Sequence, residues 1–116
     1  MKRRFRLTRS EDIKRVRRSG KSYAHPLVVL YVTEAEPPGL RVAVTAGGAV
    51  GNAVRRNRAK RLLRSAMNAL LPEIQPGCDL LLIARSRLAQ SDAGQTRDAL
   101  AALLARAGRL SSSHDG

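Results

Sequence analysis

The run Leu80-Leu81-Leu82-Ile83-Ala84 constrains this chain more than any other stretch, because five consecutive apolar residues offer no polar side to water. Following the turn signal Gln75-Pro76-Gly77, it reads as a strand from Asp79 to Ala84 that is buried on both faces and belongs in the interior of a sheet. With 116 residues the chain can enclose one core but hardly two. One domain is therefore expected over residues 1–110, with residues 1–8 as a flexible basic arm and 111–116 as a disordered tail.

The other elements follow from local signals. Thr8 stands three residues before Glu11, the spacing of a capping box, and predicts a helix from Arg9 or Ser10 to Ser19, with Gly20 as a left-handed stop. Ile13 and Val16 form its narrow apolar stripe. Tyr23 to Thr33 reads as one long strand, with Pro26 at an edge position or bulge. Pro37-Pro38-Gly39 is a turn, and Leu40 to Thr45 is expected to return as the second strand of a hairpin. Ala46 to Gly51 holds three glycines and reads as too flexible for regular structure. Asn52 is a good cap for a helix carried to about Leu70, before Pro72. Ser91 is the expected cap of a last helix, in which Leu100, Leu103, Leu104 and Ala107 share a face and Gly108 is the stop.

Charge narrows the function. Twenty-two Lys and Arg against nine Asp and Glu give a net charge of +13, which calls for a polyanionic partner. Nucleic acid fits, since each neutralised phosphate releases counterions. A membrane does not: no apolar run approaches the ~20 residues of a spanning helix, and the basic stretches lack the bulky apolar face of an interfacial anchor. Met1-Lys2-Arg3-Arg4-Phe5-Arg6 has no apolar segment after it, so it is not a secretion signal, and a cytoplasmic location is expected. Cys78 has no cysteine partner, and with only His25 and His114 there is no metal-ligand cluster. Cys78 reads as a small residue at a strand edge. Catalytic residues are not expected either, because Glu11, Asp12, Glu34, Glu36, Glu73, Asp79, Asp92 and Asp98 are scattered over separate elements.

The positive charge is concentrated in Asn52-Ala53-Val54-Arg55-Arg56-Asn57-Arg58-Ala59-Lys60-Arg61-Leu62-Leu63-Arg64, which holds six cations and no acid. On a helix, Ala59, Leu62, Leu63, Ala66, Met67 and Leu70 gather on a core-facing arc of roughly 140°. Arg56, Lys60 and Arg64 form a row along one margin, and Asn57, Arg61 and Asn68 a second row beside it. A solvated face normally mixes both signs, yet no acid occurs between Pro37 and Pro72. Asn57, between two arginines, can add directed hydrogen bonds to phosphate, sugar or base edges.

This stretch resembles the signature helix of the bacterial ribonuclease P protein family, through Gly51-Asn52-Ala53-Val54, Arg56-Asn57-Arg58, Lys60-Arg61 and Arg64. The similarity extends from about Leu7 to Leu104, through Glu11-Asp12, Gly20, Leu30-Tyr31, Leu40-Arg41-Val42 and Ile83-Ala84-Arg85. It implies an α+β fold, an α/β sandwich of order α-β-β-(β)-α-β-α, with a left-handed crossover through the signature helix against the general preference for right-handed connections. It also implies that Arg55, Arg56, Asn57, Arg58, Lys60, Arg61 and Arg64 contact ribonuclease P RNA, and that Ile13, Arg17, Tyr31 and Asn52 face a cleft holding the 5′ leader of precursor tRNA. The RNA would hold magnesium and cleave, while the protein, a monomer with no cofactor of its own, would position the substrate. Two departures stand out: Ile13 and Arg17 occupy places where the family commonly has phenylalanines, and Gly47 and Gly48 places where it often has lysines. The leader groove is therefore expected to rely more on charge than on stacking, with the amino-terminal basic run placed to compensate. A structural RNA-binding protein, such as a small ribosomal protein, would share the charge and size. A helix-turn-helix DNA reader fits less well, because a buried strand rather than a short partner helix adjoins the basic helix.

Overall fold

The computed structural model describes residues 5–36 and 39–111. In chain order these form α1 (Ser10–Ser19), β1 (Lys21–Ala24), β2 (Val28–Glu34), β3 (Leu40–Ala46), α2 (Ala53–Leu70), β4 (Cys78–Ala84) and α3 (Ala93–Arg106). The four strands make one sheet in the order β1-β2-β4-β3. β4 pairs antiparallel with β2 and parallel with β3, and α2 is the connection between the two parallel neighbours.

The apolar run does occupy the interior, and its need for two covered faces reorganises the strands around it. Leu80 and Leu82 point with Val28, Leu30 and Val42 into the main core, beneath Leu63, Met67 and Leu70 of α2 and Leu100, Leu103 and Leu104 of α3. Leu81 points to the other face, into a smaller cluster with Val16 of α1, Ala43 and Leu7. Along β4, six of the seven residues are buried.

Several expectations change in consequence. β2 and β3 do not form a hairpin: β4 lies between them and pairs with each along its whole length, from Glu34↔Cys78 to Val28↔Ala84 and from Leu40↔Cys78 to Ala46↔Ala84. Alternation shows which face a residue serves but not which strand it pairs with, and the most apolar strand takes the central place. The long first strand is instead a hairpin of β1 and β2. Pro26 sits in its turn, closed by His25 N to Val28 O at 3.0 Å and Val28 N to His25 O at 3.2 Å. The loop over Ala46 to Gly51 is more regular than expected, since Gly48–Val50 forms a 3-10 turn that buries Val50.

The helix ends show similar one-residue shifts. Thr8 does not cap α1: Arg9 holds the cap position without a side-chain bond. Leu7 N donates to Val42 O at 2.8 Å, and this tie to the sheet leaves Thr8 one place outside the helix. Gly20 is extended, with φ −80° and ψ 155°. Glycine is needed there for closeness rather than handedness, because a Cβ would lie 2.4 Å from Val16 O. Gly108 does adopt the left-handed stop, at φ 70°. Asp92, not Ser91, caps α3, in a reciprocal box with Gln95. The Ser91 hydroxyl is buried and bonds Leu88 O at 2.7 Å and Thr96 Oγ1 at 3.0 Å.

The basic arm is also shorter at its inner end than residues 1–8. Arg6 bridges to Val42 on the outer edge of β3, Leu7 is buried, and Phe5 packs against the main core. At the other end Ser111 N donates to Glu73 O at 2.6 Å. The rest of the expected arm and tail, residues 1–4 and 112–116, lies outside the described residues, as does Pro37-Pro38.

Candidate nucleic-acid interface

α2 begins where expected, with Asn52 Oδ1 accepting from Arg55 N at 3.0 Å. Its first turn carries no acid, so the positive end of the helix dipole adds to the arginines rather than being offset by a carboxylate. Ala59, Leu63, Ala66, Met67 and Leu70 are buried, while Leu62 at the margin is only half-buried. Arg55, Asn57, Arg58 and Arg61 are exposed, and the row Arg56, Lys60, Arg64 is half-buried beside the core. Among the described residues, ion pairs within 4.0 Å join only Arg15 and Arg41 to Asp12 and Asp79, so no cation of α2 is neutralised by a neighbour.

Arg58 differs from the others. Its Nε donates to Ala89 O at 2.7 Å and its Nη2 to Ser91 O at 3.2 Å, so the guanidinium fastens α2 to the segment that leads into α3. Those acceptors are neutral, and the charge of Arg58 remains.

On the opposite face of the sheet, α1 covers β2 and β4 only in part. Ile13, Tyr31 and Ile83 lie half-buried around the small cluster under Val16. Strand pairing sets Tyr31, Leu81 and Ala43 side by side in one row and Val29, Ile83 and Thr45 in the next. The structure thus brings Ile13 and Tyr31 together, with Arg17 exposed one turn further along α1. Asn52 is placed differently: its oxygen is engaged by the helix cap, leaving its amide nitrogen for a ligand.

The two faces meet over the β3 edge. Arg6, Thr8, Ile13 and Arg64 line one hollow of about 210 Å³, formed where residues 6–8 pass between α1 and α2. Arg64 was singled out as part of the basic helix and Ile13 as part of the cleft; the geometry joins them and adds Arg6, which sequence reading assigned only to a general basic arm.

A buried ionic latch was missed. Asp79 is 1% exposed and accepts from Arg41 Nε at 3.1 Å, Arg41 Nη2 at 3.0 Å and Arg15 Nη2 at 2.9 Å. Asp12 stands 3.5 Å from Arg15 and 3.9 Å from Arg41. The latch ties α1 to β3 and β4, and its signal was a lone acid next to the apolar run. The hydrogen bond with Asp79 holds the Arg41 guanidinium above its usual range, against the opposing effect of burial. These carboxylates do not suit a magnesium ion, since guanidiniums already occupy both oxygens of Asp79. Among the described residues no group of three His, Cys, Asp or Glu could hold a metal, and no helix is long and apolar enough to cross a membrane.

Comparison with known proteins decides what this arrangement belongs to. The model of the family Ribonuclease P matches residues 1–108. The chain belongs to the ribonuclease P protein family. The ribonuclease P protein component of Oceanobacillus iheyensis is 34% identical over 111 residues, covering 95% of this chain and 92% of that one. That of Herpetosiphon aurantiacus is 36% identical over 107 residues, covering 92% and 87%. Among solved structures, the ribonuclease P protein of Staphylococcus aureus superposes with a TM-score of 0.78 at 25% identity, covering 95% of this chain and 94% of that one. The ribonuclease P protein of Thermotoga maritima gives 0.78 at 27% identity, covering 87% and 96%. A ribonuclease P protein is a component of an endoribonuclease that processes tRNA, and the α+β sandwich seen here is the fold of these relatives.

Proposed function

We propose that the exposed face of α2 binds the catalytic RNA of ribonuclease P, and that the cleft between α1 and the sheet holds the single-stranded 5′ leader of precursor tRNA. The observation that carries this reading is the hollow shared by Ile13 and Arg64, which makes the basic row of α2 and the cleft one continuous surface around the β3 edge. Arg55, Arg56, Asn57, Lys60 and Arg61 face the large RNA, with Arg58 adding charge from its anchored position. Ile13 and Tyr31 give the leader an apolar floor, and Arg17 and Arg64 hold its phosphates. Single strands are held by such a charged groove with a stacking platform, at ~1–3 kcal/mol per stacked base. With one ring at the cleft, this chain leans on charge, and Arg6 supplies charge where the glycines at 47 and 48 do not. The magnesium and the bond cleavage belong to the RNA; the protein acts in the cytoplasm as a monomer before assembly and needs no cofactor.

The test is the affinity of the reconstituted holoenzyme for precursor against mature tRNA. Arg17→Ala should lower affinity for the precursor alone and flatten its salt dependence by roughly 0.7 in log–log slope, the loss of one single-strand phosphate contact. Equal losses for both substrates would remove Arg17 from the leader site.

A further inference from the structure

Two adjoining hollows lie at the other end of the sheet, between the β1–β2 turn and the start of α3. The larger, about 530 Å³, is walled by His25, Arg87, Gln90, Gln95 and Asp98 over a floor of Leu27 and Ala99. The smaller, about 440 Å³, shares His25 and Arg87 and adds Arg85. The size of the first suits a small ligand, and a division into a mixed polar and apolar chamber beside a cationic one suits a base with its phosphate.

Local bonds fix what these walls offer. The Gln95 side-chain oxygen accepts from Asp92 N at 3.1 Å in the α3 cap, which leaves the Gln95 amide nitrogen as a free donor. His25 Nδ1 accepts from Leu27 N at 3.0 Å, so the neutral ring carries its proton on Nε2 and is a donor there. Asp98, one helical turn beyond Gln95, is the carboxylate of the set and has no cation within 4.0 Å among the described residues. Arg85 and Arg87 likewise have no acid partner there. A carboxylate beside an amide donor asks for two adjacent ligand donors next to an acceptor. Guanine alone among the RNA bases has that edge, with N1–H and the N2 amino group beside O6; adenine, cytosine and uracil each place an acceptor where a second donor is needed.

We propose that these hollows receive one unpaired guanosine of an RNA, its N1–H and N2–H on Asp98, its O6 on Gln95, and its phosphate between Arg85 and Arg87. RNA rather than a free nucleotide is the source because the wall adjoins the RNA-binding helix: Arg58 of α2 bonds Ala89 O and Ser91 O, on either side of Gln90. To that extent the site rests on the RNA-binding reading of α2.

Fluorescence anisotropy with the intact protein and short oligouridine RNAs carrying one central guanosine, adenosine or inosine tests it. Guanosine should bind about tenfold tighter than adenosine, the discrimination of one good bidentate pair, with inosine between because it lacks the N2 amino group. Asp98→Asn, at an exposed position and checked for folding by circular dichroism, removes one negative charge and should tighten all the oligonucleotides alike, while the guanosine-to-adenosine ratio falls to about one. Equal binding of guanosine and adenosine, or a preference that survives Asp98→Asn, would overturn the site. Free GMP should bind at least tenfold more weakly than the guanosine oligonucleotide, and equal affinity would overturn RNA as the source. Arg61→Ala should leave the guanosine-to-adenosine ratio intact while weakening binding to ribonuclease P RNA; an intact ratio with no loss on that RNA would count against the α2 reading and not against this one.

Discussion

Asp79→Asn isolates the latch that holds α1 over the sheet. The native carboxylate is 1% exposed and takes three guanidinium hydrogen bonds of 2.9–3.1 Å. Removing one partner of a fully buried ion pair costs about 3–5 kcal/mol. Here the cost is smaller, because the Arg15 and Arg41 side chains are 38% and 41% exposed and regain hydration, and because Asp12 stays within 4 Å of both. The asparagine oxygen can still accept in the place of one carboxylate oxygen, but its amide group then faces a guanidinium nitrogen where the other oxygen stood. The balance is a loss of about 2 kcal/mol. In a domain of this size that lowers Tm by roughly 8 °C. Thermal unfolding followed by circular dichroism reads the stability. Affinity for precursor and mature tRNA in the holoenzyme reads the function. With α1 loosened, the gap between the two substrates should narrow while binding of the protein to ribonuclease P RNA, which the proposal assigns to α2, keeps its salt slope. A Tm within about 2 °C of the parent would show that the three bonds contribute less than 0.5 kcal/mol, and an equal loss for both substrates would break the link between the latch and the cleft.

Two further outcomes follow from single contacts. Arg58→Ala should destabilise the fold by about 1 kcal/mol through loss of its bonds to Ala89 O and Ser91 O, whereas Arg61→Ala, exposed and unpaired among the described residues, should leave Tm unchanged and reduce the salt slope of RNA binding by roughly 0.9; urea titration and binding isotherms separate the two. Burial pushes the Cys78 thiol above its usual value, with Arg109 opposing, so iodoacetamide should label it slowly in the folded protein at pH 8.5 and rapidly in denaturant. The sign of the linked pH effect is a contribution to stability that is intact below the unfolded thiol value and declines as pH rises above it, measurable as a shallower alkaline loss in Cys78→Ala.

What could be seen in the sequence was whatever depends on neighbours along the chain. α2 is legible because Asn52, the apolar arc and the single-signed margin all describe one helix, and β4 because its apolar run can only be interior. Strand partners are not legible in the same way, since the alternation in Leu40 to Thr45 is satisfied equally by pairing with β2 or with β4. The α3 cap is legible in the box spacing, since Asp92 stands three residues before Gln95, whereas Ser91 merely belongs to the right residue type. Gly20 shows the limit most clearly. Its extended backbone would accept any residue, and what excludes a Cβ is the closeness of Val16 O in the last turn of α1, at 2.4 Å, with Val32 O of β2 next at 3.0 Å.

The latch and the RNA face are connected through where the acids are placed. The chain has nine acidic residues against twenty-two basic ones, and the ones with structural work lie away from α2. Asp79 and Asp12 neutralise Arg15 and Arg41 beneath α1, and Asp92 caps α3. Cations near these carboxylates are held by the protein itself and contribute little to binding a polyanion. Those of α2, with Arg6 beside Arg64 at the β3 edge, keep their full charge for phosphate. Moving an acid onto the α2 face, as in Asn57→Asp, would therefore oppose RNA binding without any change in the buried contacts of the fold, because Asn57 is exposed and its side chain makes no hydrogen bond among the described residues. On the proposed reading, the exposed side of α2 is free to be set by RNA alone, while the latch on the other face sets how the cleft is held open to the leader.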